Sequence, residues 1–201
     1  MEQKFGIISI DIQVLRDFCR QEGESVCYQK GEQMECEGQP ARWFGFVTEG
    51  CFKYTVQNIS ESQRTSALSG MDREHITWFS FGGEFVGDYP TCLRNRPSLT
   101  TIEAMVPSHM FRITGEQMMQ LFSQNIEAMD LRNIIDEHLL CQTRARYYDF
   151  YRATPRKRYE LLLRRCPGIV EHLPLNAIAS FLNVTPIYLS KIRKEITFGK
   201  E

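Results

Sequence analysis

None of the apolar runs in this chain approaches the roughly 18 residues that a membrane-spanning helix needs. The first ten residues, Met1 to Ile10, mix acid and base and hold no apolar core of a secretory signal. The expectation is a cytoplasmic protein with no membrane partner. Seven cysteines are present, at 19, 27, 36, 51, 92, 141 and 166, yet no two form a Cys-x-x-Cys pair. Zinc ribbons and ferredoxin-type clusters need such tight pairs. No metal site is therefore predicted, and reduced cytosolic thiols are the simpler reading beside a sensor cluster or redox thiol. The histidines, at 75, 109, 138 and 172, are scattered and never form His-x-His. A cupin-type metal enzyme would lack its ligands. P-loop, dinucleotide fingerprint and nucleophile elbow are missing too. The chain is expected not to be an enzyme: no catalytic residues and no cofactor are predicted.

Charge is present but unevenly spread. Residues 144–201 hold twelve Lys and Arg against five Asp and Glu, a net +7. The first 143 residues hold twelve against twenty, a net −8. A basic lobe on an acidic body is the footprint of a polyanion-binding end, although a solvated helix surface gives the same bias.

Hydrophobic period changes twice. Ile12, Val14, Leu15 and Phe18 predict a short amphipathic helix over 10–21. From about Val26 to Ile113 the chain is rich in Val, Phe, Tyr, Thr and Trp and broken often by glycine. Segments 43–47 and 51–56 flank Thr48-Glu49-Gly50, which reads as a hairpin turn. Further strands are predicted at 76–80, 100–105 and 110–113, closely spaced enough for an antiparallel sandwich or barrel. Thr114 then caps a short helix, 116–122, and a long helix is predicted over 126–151. Its stripe of Leu131, Ile134, Ile135, Leu139 and Tyr148 suits either pairing with a second copy or packing across its own barrel. Thr154-Pro155 opens another helix that stops at Cys166-Pro167-Gly168, and 169–174 reads as a linker.

The last segment carries the most specific pattern. Leu175, Ile178, Ala179 and Leu182 share one helical face. Asn183 tolerates the left-handed backbone of a tight turn, and Val184 plugs it. Thr185 caps a second helix that Pro186 starts, with Leu189 and Ile192 facing back. Ile187, Tyr188, Ser190, Lys191 and Lys194 are left pointing outward. This is the pattern of a helix-turn-helix whose second helix enters the DNA major groove; an ordinary helical hairpin is the plainer alternative. Pro186, Ile187 and Tyr188 suit thymine methyls or the backbone, Ser190 and Lys191 base edges, and Thr185, Arg193 and Lys194 phosphates.

With these residues in view, the chain resembles the Crp/Fnr family of bacterial transcription regulators over nearly its whole length. Lys30-Gly31-Glu32, Glu37-Gly38 and 46–53 match that family's opening β-roll pattern. Gly83-Glu84-Phe85-Val86-Gly87-Asp88 looks like the start of its phosphate-binding cassette, and 98–104 like the strand that follows. Arg158 to Leu162, Pro174-Leu175, Ile178-Ala179 and 189–194 are similar to a subgroup associated with Bacteroidetes-type bacteria. The resemblance implies an α+β fold. Residues 1–123 would form an antiparallel, jelly-roll-type, cyclic-nucleotide-binding-like β-roll sensor. Residues 124–152 would be a dimerisation helix and 153–201 the DNA-binding unit. It further implies a homodimer on a near-palindromic operator in double-stranded DNA, with RNA polymerase as a partner. The alternative is a small-molecule-binding or interaction protein with a degenerate helix-turn-helix.

Departures from the family pattern shape the remaining expectations. Cyclic-nucleotide binders hold the phosphate with Arg followed by Ser or Thr; here Ser98 and Leu99 occupy those places, and Arg94 and Arg96 are out of register. An anion buried without a guanidinium partner is costly. Cyclic AMP is therefore not the expected effector, and Gly83, Glu84, Phe85, Val86, Gly87, Ser98 and Leu99 would form a degenerate cassette for an unknown one. Cys19, Cys27 and Cys36 do not match an iron–sulfur spacing. His75 and His109 are candidate haem ligands, although lone strand histidines are usually structural. Only Glu195 to Glu201 follow the second helix, too short for a full wing. Arg156, Lys157, Arg158, Arg164 and Arg165 are the candidates to supply its DNA-backbone contacts.

Overall fold

The computed structural model describes residues 13–57, 74–166 and 169–198. It begins with helix α1 (Gln13–Glu22), whose Leu15 and Cys19 are buried. Val14, expected on the packed face, is exposed; Ile12 lies outside the described residues.

Eight strands follow: β1 (Glu24–Tyr28), β2 (Gln33–Glu35), β3 (Trp43–Glu49), β4 (Cys51–Gln57), β5 (Glu74–Phe81), β6 (Phe85–Val86), β7 (Thr101–Ala104) and β8 (Ser108–Thr114). They form two antiparallel four-stranded sheets, ordered β1-β8-β3-β6 and β2-β7-β4-β5. This is the expected jelly-roll-type sandwich. A short helix α2 (Tyr89–Cys92) crosses between β6 and β7.

The hairpin expected at 48–50 is absent. β3 pairs with β6 and β8, whereas β4 pairs with β5 and β7. The chain steps from one sheet to the other at Gly50, where φ is +99° and a Cβ would lie 2.1 Å from Ser108 Oγ. Two strands separated by one glycine read like a hairpin in sequence; backbone direction at that glycine sends them to different layers.

Side-chain alternation sorts the cores. Val47, Phe52, Val86, Ile102, Ala104 and Met110 meet between the sheets. Phe44, Phe46 and Ile113 face outward, under α1, α3 (Gly115–Phe122) and α4 (Ile126–Arg152). β3 is thus buried on both faces, which explains its unbroken apolar run. Thr114 caps α3 through a reciprocal capping box with Gln117.

The 27-residue α4 spans about 40 Å at 1.5 Å per residue. Its predicted stripe divides. Ile135 is buried and Leu131 half-buried against the chain's own roll. Ile134, Leu139, Leu140, Tyr147 and Tyr151 are exposed. In the near half Leu131 and Ile135 turn to the chain's own roll, while Ile126, Met129 and Ile134 stay exposed.

Helix α5 (Pro155–Arg165) starts at Thr154, whose hydroxyl accepts from Lys157 N at 3.3 Å. The segment read as a linker holds a helical turn, α6 (Ile169–His172), because Ile169 and Leu173 are both buried. Helices α7 (Leu175–Phe181) and α8 (Pro186–Phe198) are the last elements among the described residues. They pack with α5 and α6 against the outer face of the second sheet, through Cys51 and Phe79. Among the described residues no helix is long and apolar enough to cross a membrane.

Candidate functional site

The α7–turn–α8 unit is built around one left-handed residue. Asn183 has φ +52°, and its N–H donates to Ser180 O at 2.9 Å. Val184 N donates to Ala179 O at 3.0 Å. The Thr185 hydroxyl accepts from Tyr188 N at 3.2 Å and so caps α8. Ile178, Ala179, Leu182, Leu189 and Ile192 are buried between the helices. These contacts fix which face of α8 meets solvent.

That face presents Ile187 (85 % exposed), Tyr188, Lys191 and Lys194, with Thr185 at its leading end. Pro186, Ser190 and Arg193 are half-buried. Arg193 sits close enough to Tyr159 to oppose the upward push that burial gives that phenol. An apolar and aromatic leading edge followed by lysines one turn apart is suited to groove insertion with flanking phosphate contacts.

The five basic residues considered for extra DNA-backbone contact separate in space. Arg156, Lys157 and Arg164 are exposed on α5. Arg158 instead turns inward, donating to the carbonyls of Phe150 (3.1 Å), Ala153 (3.3 Å) and Leu182 (3.0 Å). Arg165 lies over the Trp78 ring, 3.8 Å from its centroid. Those two are engaged within the chain. Nothing in the local sequence of Arg158 signalled this, because its acceptors come from two separate segments, the end of α4 and the end of α7.

The cassette is a tight turn on glycines. Gly83 (φ +90°) and Gly87 (φ +141°) bracket it, and a Cβ at Gly87 would lie 2.9 Å from Trp43 O. Glu84 closes the turn by accepting from Phe81 N at 3.1 Å. Phe85 stacks on Phe44, while Val86 enters the inter-sheet core. Gly87 N donates to the Tyr54 hydroxyl at 3.0 Å. Ser98 is buried and Leu99 is 72 % exposed.

The cassette's donors meet an internal carboxylate. Asp88 Oδ2 accepts from Leu99 N at 2.8 Å and lies 3.1 Å from Ser98 Oγ. Nearby Glu35 is buried; its Oε1 accepts from Trp43 N at 3.2 Å, and its Oε2 is buried with no partner. Burial, with Asp88 adding to it, pushes the Glu35 carboxyl up to about 7. The cassette interior is acidic where a cyclic phosphate would require a cation. Sequence reasoning missed Glu35, since a lone Glu in a polar segment carries no signal.

The histidine and cysteine readings also find their places. His109 bridges two hydroxyls: its Nε2 is 2.9 Å from Ser25 Oγ, and its Nδ1 contacts Thr48 Oγ1. Cys19, Cys51, Cys92 and Cys166 are buried, and burial pushes the first three up to about 12, far from the thiolate range. Cys27, Cys36 and Cys141 are exposed. Among the described residues no group of three His, Cys, Asp or Glu is placed to hold a metal ion.

Comparison with known proteins adds to this geometry. The sequence pattern described as "Cyclic nucleotide-binding domain" matches residues 25–125. No curated protein matches the chain. Solved structures share its fold at low identity. FixK2 from Bradyrhizobium japonicum superposes with a TM-score of 0.67 at 17 % identity, covering 88 % of this chain and 86 % of that one. The c-di-GMP-responsive global regulator CLP of Xanthomonas campestris gives 0.61 at 15 %, covering 93 % and 92 %. The catabolite activator protein of Thermus thermophilus gives 0.51 at 13 %, covering 96 % and 85 %.

Proposed function

The chain belongs to the cyclic nucleotide-binding domain family, and from that premise we propose that it is a transcription regulator of the Crp/Fnr type, not an enzyme. In this reading residues 1–123 are the sensor, 124–152 pair two copies, and 153–201 read DNA. The homodimer works in the cytoplasm, binds a near-palindromic duplex and meets RNA polymerase there. The observation that carries the reading is the exposed face of α8, with Ile187, Tyr188, Lys191 and Lys194 outward on a helix anchored by the Asn183 turn.

Dimerisation is supported by the exposed Ile134, Leu139, Leu140, Tyr147 and Tyr151 on α4, a run of apolar and aromatic side chains that water alone would leave unpaired. A two-fold dimer sets its recognition helices about one DNA turn apart, hence the expected palindrome. The effector is not cyclic AMP: Asp88 already engages Leu99 N, and Glu35 would face any phosphate with like charge or an unpartnered acid.

Selection of the full chain against a randomised duplex pool, with and without cyclic AMP, tests the proposal. The expected result is the same palindrome in both arms. Enrichment only with cyclic AMP would overturn the effector reading, and no enrichment at any salt concentration would overturn DNA reading itself.

A further inference from the structure

Three units of the fold meet at Trp78 on β5. Arg165 from α5 lies over its ring, and Arg146 from α4 stands 4.2 Å from the same centroid. Arg146 also stands 4.7 Å from the ring centroid of Phe181 at the end of α7. Two guanidinium groups thus share one indole.

Their countercharge is incomplete. Arg146 donates to the Thr77 carbonyl, and among the described residues it forms no ion pair. Arg165 reaches Glu84 only at 3.8 Å. Arg158 spends its bonds on carbonyls, and its buried Nε has no partner. Burial and the neighbouring Arg165 together pull Arg146 down to about 10. Arg165 is exposed to solvent, but Arg146 is half-buried, and a covered guanidinium without an ion pair gains from any anion that reaches it.

These three arginines line a cavity of about 290 Å³. Trp78, Phe150, Leu162 and Phe181 supply its apolar wall, and Asp149, exposed at the edge, is its one acidic side chain. Guanidinium groups lie over the rings of Trp78, Phe181 and Phe150, so the lining joins cations to apolar side chains and suits a ligand with an apolar body and a negative end. The volume, at the low end for small-molecule sites, limits that ligand to one or two rings.

We propose that this cavity binds a small aromatic anion, its charge on Arg146 and Arg165 and its ring against the cavity's apolar lining. The site lies outside the cassette. It touches the roll, the long helix and the DNA-reading unit at once, so occupancy fixes their mutual placement.

Isothermal titration of the full chain with 2-naphthoate, and with uncharged 2-naphthylmethanol, tests this without DNA. The expected result is one 2-naphthoate per chain and at least tenfold weaker binding of the alcohol. Arg165→Gln, checked for folding by circular dichroism, is expected to weaken 2-naphthoate at least fivefold. Absence of binding at millimolar 2-naphthoate, equal affinity for the two compounds, or an unchanged Arg165→Gln affinity would each overturn the site. None of these outcomes bears on whether α8 reads DNA.

Discussion

Leu99 N donates to Asp88 Oδ2 across 2.8 Å. The donor that follows the buried Ser98 is satisfied by a carboxylate eleven residues earlier in the same chain, so the cassette provides its own anion. Asp88→Ala removes a charge-assisted acceptor, and about 1–2 kcal/mol of stability should go with it. Urea unfolding reads that loss. Calorimetry of the wild type with cyclic AMP should show no binding at millimolar nucleotide; a micromolar Kd would refute the self-liganded cassette.

Glu35 makes stability depend on pH. Its carboxyl is pushed up to about 7 in the folded chain, above its ordinary 4.5, because burial disfavours the ion. Between these values the folded state holds a proton that the unfolded state has released. The contribution of Glu35 to stability is therefore fullest below about 4.5 and is lost as pH rises through about 7, a change of about 3 kcal/mol. Glu35→Gln keeps an acceptor for Trp43 N and should flatten that slope. Parallel urea titrations from pH 5 to 8 check it; identical slopes for both proteins would contradict the assignment.

On the face of α8, two lysines should behave differently. Lys191→Ala is expected to cost about 1–3 kcal/mol at one base position and relax preference there, whereas Lys194→Ala should lower the salt slope by about one for every sequence. Fluorescence anisotropy over a salt series, on the selected duplex and on scrambled DNA, separates them. Equal losses on both duplexes for Lys191→Ala would remove it from base reading.

Asn183 holds the turn with φ +52°. Asn183→Ala should destabilise by about 1 kcal/mol, while Asn183→Gly should be close to neutral. Thermal unfolding of the pair provides the comparison, and a greater loss in the glycine variant would speak against backbone conformation as the cause.

Leu140→Glu together with Tyr151→Glu puts charge on two exposed positions of α4. Sedimentation should show a dimer for the parent and a monomer for the variant with unchanged helicity. A dimer that survives both substitutions pairs through some other surface.

How much of this was readable in sequence follows from the range of the interactions. The α7–turn–α8 unit was legible because its determinants are local: Ala179, Asn183, Thr185 and Pro186 act within one or two turns of chain. The Thr114 cap was legible for the same reason. Gly50 misled, since a glycine between two strands looks alike whether the chain folds back or changes sheet. The α4 stripe did not announce that Ile135 would face the roll while Ile134 faced solvent. Glu35, Arg146 and Arg158 were invisible because their surroundings are assembled from residues far apart in the chain.

Arg158 gives the junction after α4 a mechanical character. A single nitrogen, Nη1, holds both Phe150 O and Ala153 O, and Nη2 of the same group holds Leu182 O. Swinging the last four helices about residues 153–154 would strain both Nη1 bonds, whereas the Leu182 bond would travel with the helices. The guanidinium therefore acts as a clasp across the joint, holding the end of α4 to the helices that follow it.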